Sequence, residues 1–271
     1  MENAGGVLAC DCDLTLFVAC YNEEAGIVPT LETIVAAAGE AGRSYDIVII
    51  DDASTDQSVP KIQTFIAAHP EVKIKLLVNH VNQGLGNNFA EAAFHGHGKY
   101  YRLVCGDNVE SKEVLAGIFK RLGQADIILS YHDSDCRGFS RKHISRLFTS
   151  LVNLLSGYKL KYYNGVPVTL RQDVMRWHSN CHGFGFQADL VTRLLDLGAS
   201  FIEVPVRPQE RESGASKALT FKNLCSVAHS LLEIFIRRVA RIMYPKAYQA
   251  MRAQRRAAAA KTAPRGGAQA K

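Results

Sequence analysis

Tyr101-Arg102-Leu103-Val104-Cys105-Gly106-Asp107-Asn108-Val109-Glu110 reads as a buried strand that runs straight into a small acidic turn. Apolar residues carry the strand, and Gly106 lets the chain bend sharply where it ends. Asp107, Asn108 and Glu110 then present hard oxygen ligands at the strand's carboxyl end, the edge of an open α/β sheet where ligands bind. Such ligands favour Mg2+ or Mn2+ over zinc. The same residues also suit a plain polar turn leading into a helix, since Gly, Asp and Asn mark turns. The neighbouring segments decide between the two.

Toward the N-terminus, residues 14–20 form an apolar strand that ends in Tyr21-Asn22-Glu23-Glu24 and enters a helix carrying Ile27, Leu31, Ile34 and Val35. Residues 45–50 form a second strand. It ends in Asp51-Asp52-Ala53-Ser54-Thr55-Asp56, where Ser54, Thr55 and Asp56 are each suited to cap the next helix. Capping does not account for Asp51 and Asp52, which repel at the strand end, and a bound ligand or cation would. Residues 73–78 give a third strand, and 79–88 a polar, Gly-containing loop into a helix with Phe89, Ala92 and Ala93. Beyond the opening stretch come a helix at 111–122 and a fifth strand at 126–131. Strands alternating with helices at this spacing predict an α/β fold, a mostly parallel sheet with helices on both faces. No G-x-G-x-x-G follows the first strand, so a dinucleotide site of that kind is not expected.

The second half is less regular: a polar loop at 132–140, a helix at 141–157 with a basic start, and a short strand at 166–171. A helix at 184–197, a strand at 200–206 and a charged loop at 207–217 follow. Last comes an amphipathic helix at 221–243 with Leu224, Val227, Leu231, Ile234 and Phe235 on one face. Residues 1–13 read as a loose leader and 246–271, rich in Ala, Arg, Lys and Gly, as a disordered tail. Between them, 14–245 reads as one domain, with a first half to about 131 and a second half from 132.

At 271 residues and 47% hydrophobic content the chain can bury a sizeable core. Its formal charge of +6 suits anionic small molecules or an anionic membrane surface. Nucleic acid is not the expected partner, because the basic residues are not interleaved with exposed aromatics on one face. Seven cysteines without a C-x-x-C pair fit reduced thiols and a cytoplasmic setting, and Cys10 with Cys12 is too little for a metal site. No signal peptide and no membrane-spanning run is expected.

Several patches together resemble family 2 glycosyltransferases over residues 14–240. Val18-Ala19-Cys20-Tyr21-Asn22-Glu23, Ile50-Asp51-Asp52-Ala53-Ser54-Thr55-Asp56 and Asn82-Gln83-Gly84 resemble the nucleotide-sugar half. Phe186-Gln187-Ala188-Asp189, Glu203-Val204-Pro205-Val206 and Arg211-Glu212-Ser213-Gly214-Ala215-Ser216-Lys217 resemble the dolichol-phosphate mannosyltransferase branch. The departures are Ala19 where the family usually has Pro, Gly106-Asp107-Asn108 in place of D-x-D, Tyr131 in place of an acceptor-phosphate Arg, and Tyr163-Asn164-Gly165 in place of an Asp-containing segment.

The resemblance implies a GT-A, Rossmann-like fold and an inverting transfer from a GDP- or UDP-sugar to a polyprenyl phosphate. It implies Ala19, Tyr21, Glu23, Asp52 and Gly84 at the nucleotide, with Asp52 accepting from a ring N–H. Asp107, Asn108 and Glu110 would hold Mg2+ or Mn2+, while Arg211 and Lys217 would close over the phosphates. Tyr131, Arg141 and Ser216 would meet the acceptor. An ionised lipid phosphate needs no protein base, whereas a hydroxyl acceptor would, and Asp189 would then supply it. A lipid acceptor also implies a membrane surface, for which the amphipathic helix and basic tail are suited. Two other readings stay open, a saccharide acceptor and a non-catalytic nucleotide-sugar binder.

Overall fold

A computed structural model describes residues 10–132, 139–176, 185–206 and 221–262. At its centre is β1 (Cys12–Cys20), flanked by β2 (Tyr45–Asp51) and β4 (Gly98–Cys105), with β3 (Ile74–Val78) outside β2. These four strands are parallel, in register Leu16 to Ile47 and Leu16 to Arg102. Parallel strands need crossovers, supplied by α1 (Ile27–Ala41), α2 (Ser58–Ala68) and α3 (Leu85–His95). Alternate residues of each strand feed opposite faces. Leu14, Leu16 and Val18 pack under α1, with Ile47, Ile49 and Phe119 of α4 (Lys112–Phe119), while Phe17, Val48, Ile50 and Leu103 pack with Phe89 and Phe186 on the other side. Burial on both faces is why these strands read as near-continuous apolar runs.

The fifth predicted strand does not extend this sheet. β5 (Ile127–His132) pairs in parallel with β7 (Phe201–Val206), and the fifth place beside β4 goes to a short antiparallel strand, β6 (Thr169–Leu170). An antiparallel bridge between Ile128 and Val168 ties the two sheets. Since both β4 and β5 run against the 168–170 segment, they run in the same direction. The carboxyl end of β5 therefore lies on the same edge as those of β1, β2 and β4. Only two residues of the predicted strand at 166–171 form β6, and Arg171 already opens the short helix α6 (Arg171–Met175).

Besides α6, the described residues of the second half carry α5 (Phe139–Ser156), α7 (Phe186–Asp196) and α8 (Phe221–Met243). Of the segment expected to be a disordered tail, 246–271, residues 263–271 lie outside the described ones and the described part falls in a helix, α9 (Pro245–Thr262). Its Ala, Arg, Lys and Gln residues are good helix formers. Two arginines dock it, Arg252 Nε on Asp196 O at 2.9 Å and Arg255 Nη2 on Asp173 Oδ2 at 2.8 Å. At the other end β1 begins at Cys12, inside the expected leader, and residues 1–9 lie outside the described ones.

Candidate active site

Three loops lace together at the carboxyl edge of the central strands. Asn22, at φ 56°, accepts from Thr55 N at 2.8 Å, and its own N–H donates to Ser54 Oγ at 2.8 Å. Glu23 N–H donates to Ser58 Oγ at 3.0 Å and Glu24 N–H to Asp56 Oδ2 at 3.0 Å. Ser54 and Asp56, expected to cap α2, thus bind the Tyr21–Glu24 loop; Asp56 also accepts from Ser58 N at 2.9 Å through Oδ1, while Gln57 at the N-cap position makes no side-chain cap. Tyr21 is left exposed on this edge.

Asp51 and Asp52 are both buried. Successive residues at a strand end project to opposite faces, which separates the two carboxylates. Asp51 Oδ2 accepts from Ser54 N at 3.0 Å. The Asp52 carboxylate anchors the third loop, accepting from Gln83 N at 2.8 Å, Asn79 Nδ2 at 2.9 Å and Gly84 N at 3.0 Å. Burial raises the Asp52 pKa, but the donors Gln83, Asn79, Asn88 and Gly84 more than offset it and hold the carboxyl below its ordinary value. Asp52 is thus an internal anchor of this edge, its carboxylate already accepting three hydrogen bonds where the sequence suggested an open acceptor, while Asp51 Oδ1 is buried with no hydrogen-bond partner among the described residues. Gly84, at φ 88°, leads into α3 with its N–H already engaged by Asp52.

Beside this edge β4 runs into its turn. Gly106 N–H donates to Ala19 O at 3.0 Å, and a Cβ on Gly106 would sit 2.9 Å from that oxygen, so the turn is closed against β1 only because position 106 lacks a side chain. The same Cβ would lie 3.5 Å from Glu23 Cβ, which places Glu23 next to the 106–107 turn. Burial, then the Asp107 and Glu110 carboxylates, push the neighbouring Cys105 thiol up to about 12, and burial pushes Cys20 equally far, so neither is a nucleophile at neutral pH.

The acidic turn does not act as one ligand set. Asn108, at φ 51°, accepts through Oδ1 from Thr33 Oγ1 at 3.1 Å, and its N–H donates to Thr30 Oγ1 at 3.0 Å. Glu110 takes the fully buried Arg102 guanidinium in both oxygens, at 2.9 and 2.6 Å. Two of the three expected metal ligands, Asn108 and Glu110, are therefore held by other protein groups, and the third, Asp107, is half-buried at the turn beside Glu23. Among the described residues no group of three or more His, Cys, Asp or Glu could hold a metal ion. The described residues of this turn do not by themselves make a metal site.

In the second half, Asp189 is fully buried, not placed at the mouth of the site. Its Oδ1 pairs with Arg237 of α8, and Arg193 stands 4.0 Å from Oδ2. Its carboxylate is turned into the protein onto Arg237 and does not reach the mouth of the site, so the expectation of a base at Asp189 is not met. Tyr131, near the end of β5, lies under a cation that the sequence reading overlooked: Lys161 Nζ is 4.0 Å from the ring centre. The available signal was the basic Lys159-Leu160-Lys161 cluster shortly before the Tyr163-Asn164-Gly165 departure. Arg141 falls in α5. Arg211, Ser216 and Lys217 lie outside the described residues.

Comparison with known proteins agrees with this architecture. Residues 15–178 match Glycosyl transferase family 2. Among curated relatives, undecaprenyl-phosphate 4-deoxy-4-formamido-L-arabinose transferases of Edwardsiella ictaluri and Shewanella sediminis are each 24% identical, over 75% and 81% of this chain. The chain spans 62% and 65% of their lengths, less than two thirds. Among solved structures, a mannosyltransferase from Pyrobaculum calidifontis in complex with GDP-Man and Mn2+ has a TM-score of 0.56 at 16% identity, covering 92% of this chain and 80% of that one. Glucosyl-3-phosphoglycerate synthase from Mycobacterium tuberculosis with UDP has a TM-score of 0.61 at 15% identity, covering 83% and 80%. The matched residues contain the central sheet from Thr15 onward and all three laced loops, and the chain belongs to glycosyl transferase family 2, with the GT-A fold.

Proposed function

We propose that this chain transfers a sugar from a nucleoside diphosphate sugar to a polyprenyl phosphate, with inversion at the anomeric carbon. The observation that carries the reading is the convergence of Tyr21, the Asp52-anchored loop and Asp107 at the carboxyl ends of β2, β1 and β4 in a family 2 chain. That similar folds are solved with GDP-Man or UDP supports the donor class, and the undecaprenyl-phosphate relatives support the acceptor class.

In the proposed reaction an acceptor phosphate oxygen forms a bond to the anomeric carbon while the bond from that carbon to the nucleoside diphosphate breaks. A phosphate monoester has its second pKa near ~6, so the nucleophile is already ionised and no protein base is required. That agrees with the buried, arginine-paired state of Asp189. Tyr21 and Glu23 hold the nucleoside, and the loop positioned by Asp52 shapes its base pocket. Lys161, over Tyr131 on the same edge, supplies the cation for the acceptor phosphate. Arg211 and Lys217 close over the diphosphate as its charge builds, and Ser216 lies in the same loop. Mg2+ is commonly held by one or two carboxylates plus substrate phosphates. Asp107 suits an ion of that kind, arriving with the donor, and such an ion would neutralise the leaving group. A lipid acceptor places the protein at the cytoplasmic face of a membrane.

One observation favours a second reading. With Asn108 and Glu110 held by other groups, the turn also suits a non-catalytic nucleotide-sugar binder. Incubation with labelled GDP- and UDP-sugars, a short-chain polyprenyl phosphate and Mn2+ or Mg2+ separates the two. Label in the lipid phase supports transfer, label in an added saccharide shows a different acceptor, and donor binding without turnover supports the binder.

A further inference from the structure

Residues 160–168 cross the carboxyl end of β5 as an arm held at both ends. Asn153 of α5 fixes its start, donating from Nδ2 to Leu160 O at 3.0 Å and accepting through Oδ1 from Leu160 N at 3.0 Å and Tyr163 Oη at 2.8 Å. At the far end Ser130 Oγ donates to Gly165 O, and Val168 exchanges both main-chain hydrogen bonds with Ile128, at 2.9 and 3.0 Å. Gly165 passes so close to β5 that a Cβ there would sit 1.8 Å from Ser130 O. Between the ends, Lys161 Nζ stands over the Tyr131 ring, and the Tyr162 ring lies 5.2 Å from that of His132. The arm therefore covers the last two residues of the strand.

The arm carries strain. Val166 has φ 45°, and it is the β-branched member of the four non-glycine residues with positive φ among the described ones. Asn22 and Asn108 tolerate that region, whereas a β-branched side chain there is a steric outlier. Pro167 also biases its predecessor toward extended backbone. Gln187 of α7 holds the kink, its Oε1 accepting from Val166 N at 3.1 Å. Such conformations persist only where the surroundings over-determine them, and they cluster at active sites and ligand clamps.

The clamp nearest the cation is Glu203. On β7 it pairs in register with Leu129, as Pro205 does with Tyr131, so Glu203 and Tyr131 lie on one face of the β5–β7 pair. Its Oε1 accepts from Lys161 N at 2.7 Å, a charge-assisted bond that fixes the main chain from which the lysine reaches Tyr131. A lysine has a flexible four-carbon stem, and fixing its main chain in advance removes freedom that binding would otherwise have to remove. The Glu203-Val204-Pro205-Val206 stretch thereby gains a task that the reaction above leaves unassigned.

We infer that Glu203 is a positioning residue for the acceptor: through the Lys161 main chain it sets the ammonium over Tyr131, where the acceptor phosphate arrives. The inference rests on the acceptor reading of Lys161 above. Hydrogen exchange at the Lys161 amide of the full chain tests the clamp without any acceptor. Exchange should be slow in the wild type and in E203Q, whose amide oxygen still accepts the N–H, and at least about tenfold faster in E203A. Steady-state transfer to a short-chain polyprenyl phosphate tests the role. E203A should raise the acceptor KM by about fivefold or more, leave the donor KM unchanged, and recover in E203Q. In a K161A background E203A should have no further effect, because its route to the acceptor is gone. E203M keeps the side-chain stem, is expected to match E203A, and replaces it if the alanine variant does not fold. Unchanged exchange in E203A, an equal rise in KM for both substrates, a further rise in the double variant, or E203Q as impaired as E203A overturns the inference. If K161A raises the acceptor KM and E203A does not, the acceptor reading stands and the inference alone is wrong. If K161A leaves the acceptor KM unchanged while exchange behaves as expected, the acceptor reading has failed and the role of Glu203 falls with it.

Discussion

Arg102, fully buried in the middle of β4, donates to both carboxylate oxygens of Glu110 beyond the turn. The pair closes the acidic turn back over its own strand, and it gives Glu110 a structural task in place of a metal. Removing one partner of such a pair leaves a buried charge uncompensated, at a cost of about 3–5 kcal/mol. E110A should therefore lower the denaturation midpoint sharply, while Mn2+ dependence of donor binding in the remaining folded protein is unchanged. Wild-type stability with lost Mn2+ dependence would instead make Glu110 a metal ligand.

Asp52 gives a pH signature. Its donors hold the folded-state pKa below the unfolded one, so the stability it contributes is complete above the ordinary carboxylate range and is lost as pH falls through the folded value. Denaturant unfolding of wild type and D52N, followed from neutral pH to about pH 3, should show a stability gap that is constant down to about pH 5 and then narrows. A gap that stays constant through the acid range would mean the loop does not lean on the ionised carboxylate.

Much of this was readable in advance, and the failures share a cause. β1 to β4 are apolar runs ended by Gly, Asn and Asp, and the 3.6-residue pattern of α8 gave its bounds at Phe221–Met243. What sequence could not show was which polar residues would meet. Asp189 is paired with Arg237, forty-eight positions away, only because α8 packs on α7. Asp52 reads as an open acceptor until the 79–84 loop folds onto it. For Glu110 there was a signal: an arginine inside an apolar strand must find a partner, since an unpaired buried charge is too costly. For α8 the direction of the apolar stripe stayed open, because a helical wheel gives the stripe but not the side it faces; Leu232, Phe235 and Ile236 are exposed.

Lys161 is expected to act on the acceptor alone. K161A should raise KM for a polyprenyl phosphate roughly tenfold or more, the size of a lost charged hydrogen bond, leave the donor KM unchanged, and recover in K161R. An equal effect on both substrates would assign Lys161 to the fold around Tyr131 rather than to the acceptor.

For Arg211, contact with the diphosphate only as charge develops predicts that R211A lowers kcat by about 10²-fold with little loss of donor affinity. A raised KM with unchanged kcat would mean uniform binding and remove the closing-loop role.

The central claim is that the carboxyl edge of β1, β2 and β4 takes a nucleoside diphosphate sugar together with a divalent ion on Asp107. The most direct measurement is the melting temperature of the full chain with GDP, UDP and their sugars, each with and without Mn2+, for wild type and D107A. A ligand that binds only the folded state raises the melting temperature in proportion to its affinity. The account predicts a rise with one nucleotide family, larger with Mn2+, and loss of the Mn2+ increment in D107A with the unliganded melting temperature unchanged. No rise with any nucleotide, or an identical Mn2+ increment in D107A, would contradict it.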